Sequence, residues 1–169
     1  AGKSTCISAL AGRAYYGKVL GKIYVNGELV DNLDRYSDRI GFVPQDDIMI
    51  RECTVEETLY FSARTRLNRR KSKGEIMDIV DNVIRVLRLD HVRHSVIGDE
   101  NKRGISGGER KRVSVGIELV AQPIILFCDE PTSGLDSASS KEVCEALQSI
   151  AKSGITVIAV IHQPRYECF

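Results

Sequence analysis

The chain has 169 residues, 43% of them hydrophobic and 28% charged, which suits one folded domain with a packed core and excludes a disordered chain. Its net charge is +1, from 24 basic and 23 acidic residues. So even a balance excludes bulk binding to a nucleic-acid backbone, which calls for a basic excess.

The first pattern of secondary structure is Ile23-Tyr24-Val25, then Asn26-Gly27, then Glu28-Leu29-Val30. Asn-Gly between short apolar runs predicts a tight hairpin, because both turn residues need positive φ. Ile40-Gly41-Phe42-Val43 reads as a further short strand, ended by Pro44. A helical block follows. Thr54 and Glu57, Ser72 and Glu75, and Ser106 and Glu109 each have capping-box spacing. After the second box, Ile76, Ile79, Val80, Val83, Val86 and Leu87 form a one-sided apolar stripe on a helix of about four turns. After the third, Val113, Gly116, Ile117 and Val120 keep helical period. The basic run Arg69-Arg70-Lys71 between the first two helices reads as a solvated loop. Ile124-Ile125-Leu126-Phe127-Cys128 is continuously apolar, as for a strand covered on both faces. A helix is expected from about Ser137 to Lys152, with Gly154 as its C-cap, and residues 155–161 as a second doubly buried strand. Strand, helix and strand in that order predict a right-handed crossover in a parallel sheet.

The five cysteines, Cys6, Cys53, Cys128, Cys144 and Cys168, form no CxxC pair and read as free thiols of a reducing compartment. His91 and His94 read as surface helix residues, not metal ligands. No stretch reaches the ~18 apolar residues of a spanning helix. The chain has no initial Met and opens inside a motif, so it is expected to be a piece of a longer protein.

Three motifs carry chemistry. Ala1-Gly2-Lys3-Ser4-Thr5 matches the end of the phosphate-loop pattern GxxxxGK[ST]. In that pattern backbone N–H groups at a helix start hold phosphate oxygens, Lys3 neutralises the β- and γ-phosphates and Ser4 offers its hydroxyl to Mg²⁺. With its first glycine lying before residue 1, the half-motif is also compatible with a plain helix start. Asp129-Glu130 follows the predicted strand, at the carboxyl end where open α/β sheets bind ligands. Asp129 would hold Mg²⁺ and Glu130 would orient the attacking water; a turn pair before Pro131 is the other reading. Ile105-Ser106-Gly107-Gly108-Glu109 is a capped helix start whose bare amides can face an anion, or an ordinary cap. His162 directly follows the last predicted strand, so it falls on the same sheet edge as Asp129 and Glu130.

Together these motifs resemble those of ABC ATPases. Ser106-Gly107-Gly108-Glu109 looks like the signature motif, with Glu109 where many members have Gln. Gln45, in Val43-Pro44-Gln45-Asp46-Asp47, looks like the Q-loop residue, Ser133-Gly134-Leu135-Asp136 like the D-loop, and His162 like the switch histidine. The motifs stand in family order over essentially the whole chain. Gly104-Ile105-Ser106-Gly107-Gly108-Glu109-Arg110-Lys111-Arg112, Asp129-Glu130-Pro131-Thr132-Ser133-Gly134-Leu135-Asp136-Ser137 and Ile161-His162-Gln163-Pro164-Arg165 further resemble the G subfamily of exporters.

The resemblance implies an α/β domain with a P-loop NTPase parallel-sheet core, an antiparallel β edge and an inserted all-helical subdomain. The core would take residues 1–50 and 122–169, and the helical subdomain, with the signature helix, about 51–121. It implies ATP and Mg²⁺, with Gly2, Lys3, Ser4, Thr5, Gln45 and Asp136 binding nucleotide, Ser4, Gln45 and Asp129 holding the metal, and Glu130 and His162 catalytic. Ser106, Gly107, Gly108 and Glu109 would act in trans on the nucleotide of a second ABC ATPase domain, in a head-to-tail dimer. A transmembrane domain of the same transporter is the other implied partner, and the cytoplasmic face of a membrane the implied location; no nucleic acid is expected. The 169 residues alone are expected to bind ATP weakly and to be inactive. The rival readings are an ABC ATPase of the DNA-repair or translation branches and a nucleotide-binding module without turnover. The compact block between Gln45 and Ser106 leaves no room for a repair-type coiled-coil arm.

Overall fold

The computed structural model describes residues 2–14, 20–30, 33–68, 70–98 and 104–162. Arg69, Cys168 and the Gln163-Pro164-Arg165 end of the last motif lie outside these residues. The first helix, α1, spans Lys3–Leu10. The hairpin pairs β1 (Ile23–Val25) with β2 (Glu28–Val30) antiparallel, Tyr24 opposite Leu29. Its two turn residues have φ of 51° at Asn26 and 85° at Gly27, the left-handed backbone that such a turn demands. A 3-10 turn, Asp34–Arg39, leads into β3 (Ile40–Val43).

Three helices follow: α2 (Val55–Arg66), α3 (Lys73–Val86) and α4 (Gly107–Leu119). Each opens with the expected capping box, from Thr54 and Glu57, Ser72 and Glu75, and Ser106 and Glu109. Two orphaned amides are satisfied reciprocally at each start, which fixes where the helix begins. All three helices fall within the stretch expected to be a helical subdomain. His91 and His94 are both exposed, as expected, but neither is on an α-helix. Arg88, at φ 54°, turns the chain left-handed after α3, and His91 sits in the 3-10 turn Asp90–Val92.

The chain then forms β4 (Ile125–Asp129), α5 (Ser137–Lys152) and β5 (Thr156–Val160). β3, β4 and β5 make a parallel sheet in that order, with Val43 opposite Cys128 and Asp129 opposite Val160. β4 lies in the middle and is covered on both faces. Leu126 and Cys128 join Val43 in a large core with α2, α3, α4 and α5. Phe127 points the other way, into a smaller core with Ile7, Leu33, Ile40 and Phe42. Burying each such side chain contributes roughly 1.5–3 kcal/mol.

Three details depart from the sequence reading. β4 is shifted by one residue, leaving Ile124 outside the strand and taking in Asp129, which pairs with Val160 of β5. The C-cap of α5 is Ser153, with Gly154 at φ 100° one position beyond. β5 is not doubly buried, since Thr156 and Ala159 are exposed and the rest is half-buried. It is an edge strand of the sheet the described residues form, so its apolar run finds less cover than that of β4.

Candidate functional site at the carboxyl edge of the sheet

α1 begins at Gly2, whose φ of 87° and ψ of −4° are left-handed. A Cβ there would meet nothing within 4 Å, so the backbone angle, not crowding, calls for glycine. No side chain caps this helix. The amides of Lys3, Ser4 and Thr5 therefore have no helical partner, and all three residues are exposed. The positive end of the helix dipole adds to them, making this start suited to an anion.

Ser4 Oγ donates to Asp129 Oδ1 at 3.0 Å, although the two residues are 125 positions apart. One hydroxyl and one carboxylate oxygen are hard ligands of the kind Mg²⁺ takes. That ion is usually held by one or two carboxylates, with phosphates and water completing its shell. The residues present thus fit a phosphate-linked magnesium site. Among the described residues no group of three or more His, Cys, Asp or Glu could hold a metal by itself.

The other edge residues stand on neighbouring strand ends. Gln45 comes two residues after Val43 at the end of β3, and His162, exposed, two residues after Val160 at the end of β5. Glu130 follows Asp129 between them. Its N–H donates to Val160 O at 2.9 Å and its carbonyl accepts from Ser133 N–H at 3.0 Å. Its φ is 47°, unusual for a residue with a side chain. Strain of this kind costs roughly 1–3 kcal/mol, and it clusters at functional sites.

The start of α4 forms a second cluster. Ser106 Oγ accepts the Glu109 N–H at 3.2 Å, and Glu109 Oε2 accepts the Ser106 N–H at 2.7 Å. The other Glu109 oxygen lies 2.7 Å from His91 Nε2. Burial works to raise the Glu109 carboxyl, but the Ser106 and His91 hydrogen bonds outweigh it and hold the group below its ordinary range. Its carboxylate is turned back onto its own helix start. Ser106 and Gly107 are exposed, whereas Gly108 is buried. A Cβ on Gly108 would lie 2.8 Å from Ser139 Cβ, so only glycine lets α4 approach α5 this closely. Asp136 is the N-cap of α5, with Oδ2 accepting from Ala138 N–H at 3.2 Å and Ser139 N–H at 3.5 Å. Hydrogen bonds from the Ser139 side chain first, and then from the Ser139 N–H, hold its carboxyl below the ordinary value.

The fold therefore brings Ser4 and Asp129 into contact and sets Gln45, Glu130 and His162 on the same sheet edge. Ser106, Gly107, Gly108 and Glu109 stand together at the start of α4, and Asp136 caps the helix packed against it. Sequence reasoning named Lys111 and Arg112 only within the motif that resembles the G subfamily and gave them no role of their own. They are 3% and 4% exposed. Lys111 Nζ donates to Gln45 O at 2.7 Å and lies 2.6 Å from Asp47 Oδ1; Arg112 Nη1 donates to Glu142 Oε2 at 2.5 Å. No sequence signal marks them, because charge on a helix normally means a wet face.

A family model described as ABC transporter matches residues 1–133. The chain is 50% identical over its whole length to ABC transporter G family member 28 of Arabidopsis thaliana, covering 15% of that protein. It is 47% identical over its whole length to ABC transporter G family member 25 of Oryza sativa subsp. japonica, covering 17% of it. It is 45% identical over 99% of its length to the ABC-type transporter claG of Penicillium crustosum, covering 22% of it. The chain thus spans less than a quarter of each relative. Among solved structures, cbiO1 from Clostridium perfringens, described as part of the ABC transporter complex cbiONQ, superposes with a TM-score of 0.76 at 27% identity, over 96% of this chain and 63% of that one.

Proposed function

The chain belongs to the ABC transporter family as an ATP-binding domain of the G-subfamily type, and on that premise we propose that it is the ATP-hydrolysing motor of a membrane transporter, paired head to tail with a second such domain. The contact between Ser4 and Asp129 carries the reading, because it joins the anion-binding helix start to the carboxylate edge of the sheet.

In this proposal Gly2, Lys3, Ser4 and Thr5 bind the phosphates of ATP, Lys3 neutralising the β- and γ-groups. Ser4, Asp129 and Gln45 hold Mg²⁺, which when bound offsets charge on the phosphate oxygens. Glu130, fixed by its own amide on β5, orients the attacking water and accepts its proton. His162 reaches the γ-phosphate from the next strand end. Ser106, Gly107 and Gly108 donate to the γ-phosphate held by the partner, with Glu109 keeping the helix start in shape and Asp136 supporting it from α5. The γ-phosphate then bridges two subunits and its release removes the bridge, so ATP favours the closed pair through a contact ADP lacks.

No helix among the described residues is long and apolar enough to cross a membrane. The transmembrane partner is assigned to other parts of the full protein, with this domain on the cytoplasmic side. The test is Glu130→Gln in the full-length protein. Phosphate release is expected to fall about 10²–10⁴-fold, with ATP still bound. Unchanged steady-state release in that variant refutes the role of Glu130, and a wild type that releases no phosphate refutes the motor reading.

A further inference from the structure

Building on the functional reading above, we propose that Lys111 is a positioning residue. It ties the loop carrying Gln45 to the helix presenting Ser106, and so couples the two nucleotide sites to which one chain contributes.

Lys111 lies on α4, three residues after Gly108, and is 3% exposed. Its Nζ donates to the backbone carbonyl of Gln45 at 2.7 Å and meets the Asp47 carboxylate at 2.6 Å. Taking an ammonium out of water is costly, and an apolar pair often packs there at no loss of stability. A buried lysine is thus a poor choice for stability alone. What it adds is a fixed geometry between the Gln45 segment and the first turns of α4.

The neighbouring anchors of α4 differ in kind. Arg112 holds Glu142 on α5, and Glu118 Oε2 accepts the Phe42 N–H of β3 at 3.1 Å. Both attach α4 to regular elements whose backbones are set by helix or strand bonding. Lys111 instead grips the irregular segment between β3 and α2. It holds Gln45 by the main chain, which leaves the Gln45 amide side chain available to the nucleotide. A shift of that loop on engaging Mg²⁺ and ATP is passed through one hydrogen bond to α4. From Lys111 to Gly108 the helix rises only about 4.5 Å, so a displacement there arrives at the amides offered to the partner's nucleotide. Coupling of this sort is a free energy shared between sites, carried by a contiguous contact.

The test compares two variants of the full-length protein that both lack the ion pair. Asp47→Asn keeps Nζ on the Gln45 carbonyl; Lys111→Met with Asp47→Asn removes that bond without stranding a buried carboxylate. The probe is the binding isotherm of a non-hydrolysable ATP analogue with Mg²⁺, with melting temperature measured alongside. The wild type and Asp47→Asn are expected to bind cooperatively, with a Hill coefficient approaching about 2. The double variant is expected to fall to about 1, with half-saturation raised about tenfold. Should it not fold, Lys111→Gln with Asp47→Asn, one heavy atom shorter than lysine, is read the same way. Wild-type binding without cooperativity overturns the proposal. So does a folded double variant as cooperative as wild type, or Asp47→Asn losing as much as the double. A wild type that binds the analogue but never releases phosphate from ATP sinks the motor reading instead, and the binding comparison still decides on Lys111.

Discussion

Gly108→Ala puts a methyl group where α4 meets α5. The new Cβ lies 2.8 Å from Ser139 Cβ, 3.0 Å from its Oγ and 3.5 Å from its Cα. These atoms sit on or next to the α5 backbone and cannot swing aside as the end of a leucine could. To reach ordinary contact at 3.4 Å, the two helix starts must part by about 0.6 Å. Overpacking of this kind costs about 1–3 kcal/mol. Replacing a helical glycine by alanine returns about 1 kcal/mol, so the net loss is about 0–2 kcal/mol. The same shift moves the Ser106 hydroxyl and the Gly107 amide, and sub-ångström misplacement of such groups lowers turnover by about tenfold, below the ~10²-fold of a full ångström. The assay is a double-mutant cycle in the full-length protein, reading melting temperature and phosphate release for Gly108→Ala, Ser139→Gly and the pair. Ser139→Gly removes the obstructing Cβ, so the pair should recover most of what Gly108→Ala lost. If turnover stays low in a pair whose stability is restored, crowding against α5 is not why residue 108 must be glycine, and the reasoning is wrong.

Ser106→Asp keeps a good N-cap but places a negative charge where the partner's γ-phosphate is proposed to sit; melting should change little while phosphate release drops at least ~10-fold, and an active variant would remove Ser106 from the trans site. The Glu75 carboxyl is held below its ordinary 4.5, chiefly by the Ser72 backbone N–H. A lowered folded value means its stabilisation is present above pH 4.5 and lost as pH falls through the folded value. Glu75→Gln keeps the box without the charge, so any stability gap to wild type should close on acidification, and a gap that widens contradicts the assignment. Burial pushes the Cys128 thiol up to about 12, while Cys6 is exposed; an alkylating reagent near neutral pH should therefore modify Cys6 first and reach Cys128 only on unfolding, as read by peptide mass mapping.

Much of this fold was legible in short windows. Asn26-Gly27, the three capping boxes, the continuous apolar run of β4 and the bounds of α5 all depend on backbone preferences over a few residues. The edge residues were legible too, because a carboxylate or histidine just after a strand in a parallel sheet can lie only at its carboxyl end. Where neighbours in space rather than in sequence decided, the reading fell short. β5 looks as apolar as β4, yet lies at the edge of the described sheet. Arg110-Lys111-Arg112 carries charge of the kind that normally faces water, yet two of the three are buried, since α4 is packed between the Gln45 loop and α5. The left-handed backbone at Glu130 is imposed by its bond to Val160 and by the turn to Ser133. By itself, then, the sequence determined the elements, their order and the chemical groups on offer, because those follow from local torsional and capping preferences. The tertiary structure alone decided that Ser4 touches Asp129 and that Lys111 grips the Gln45 loop. Contacts between residues so far apart in the chain arise only when the packed core brings their elements together.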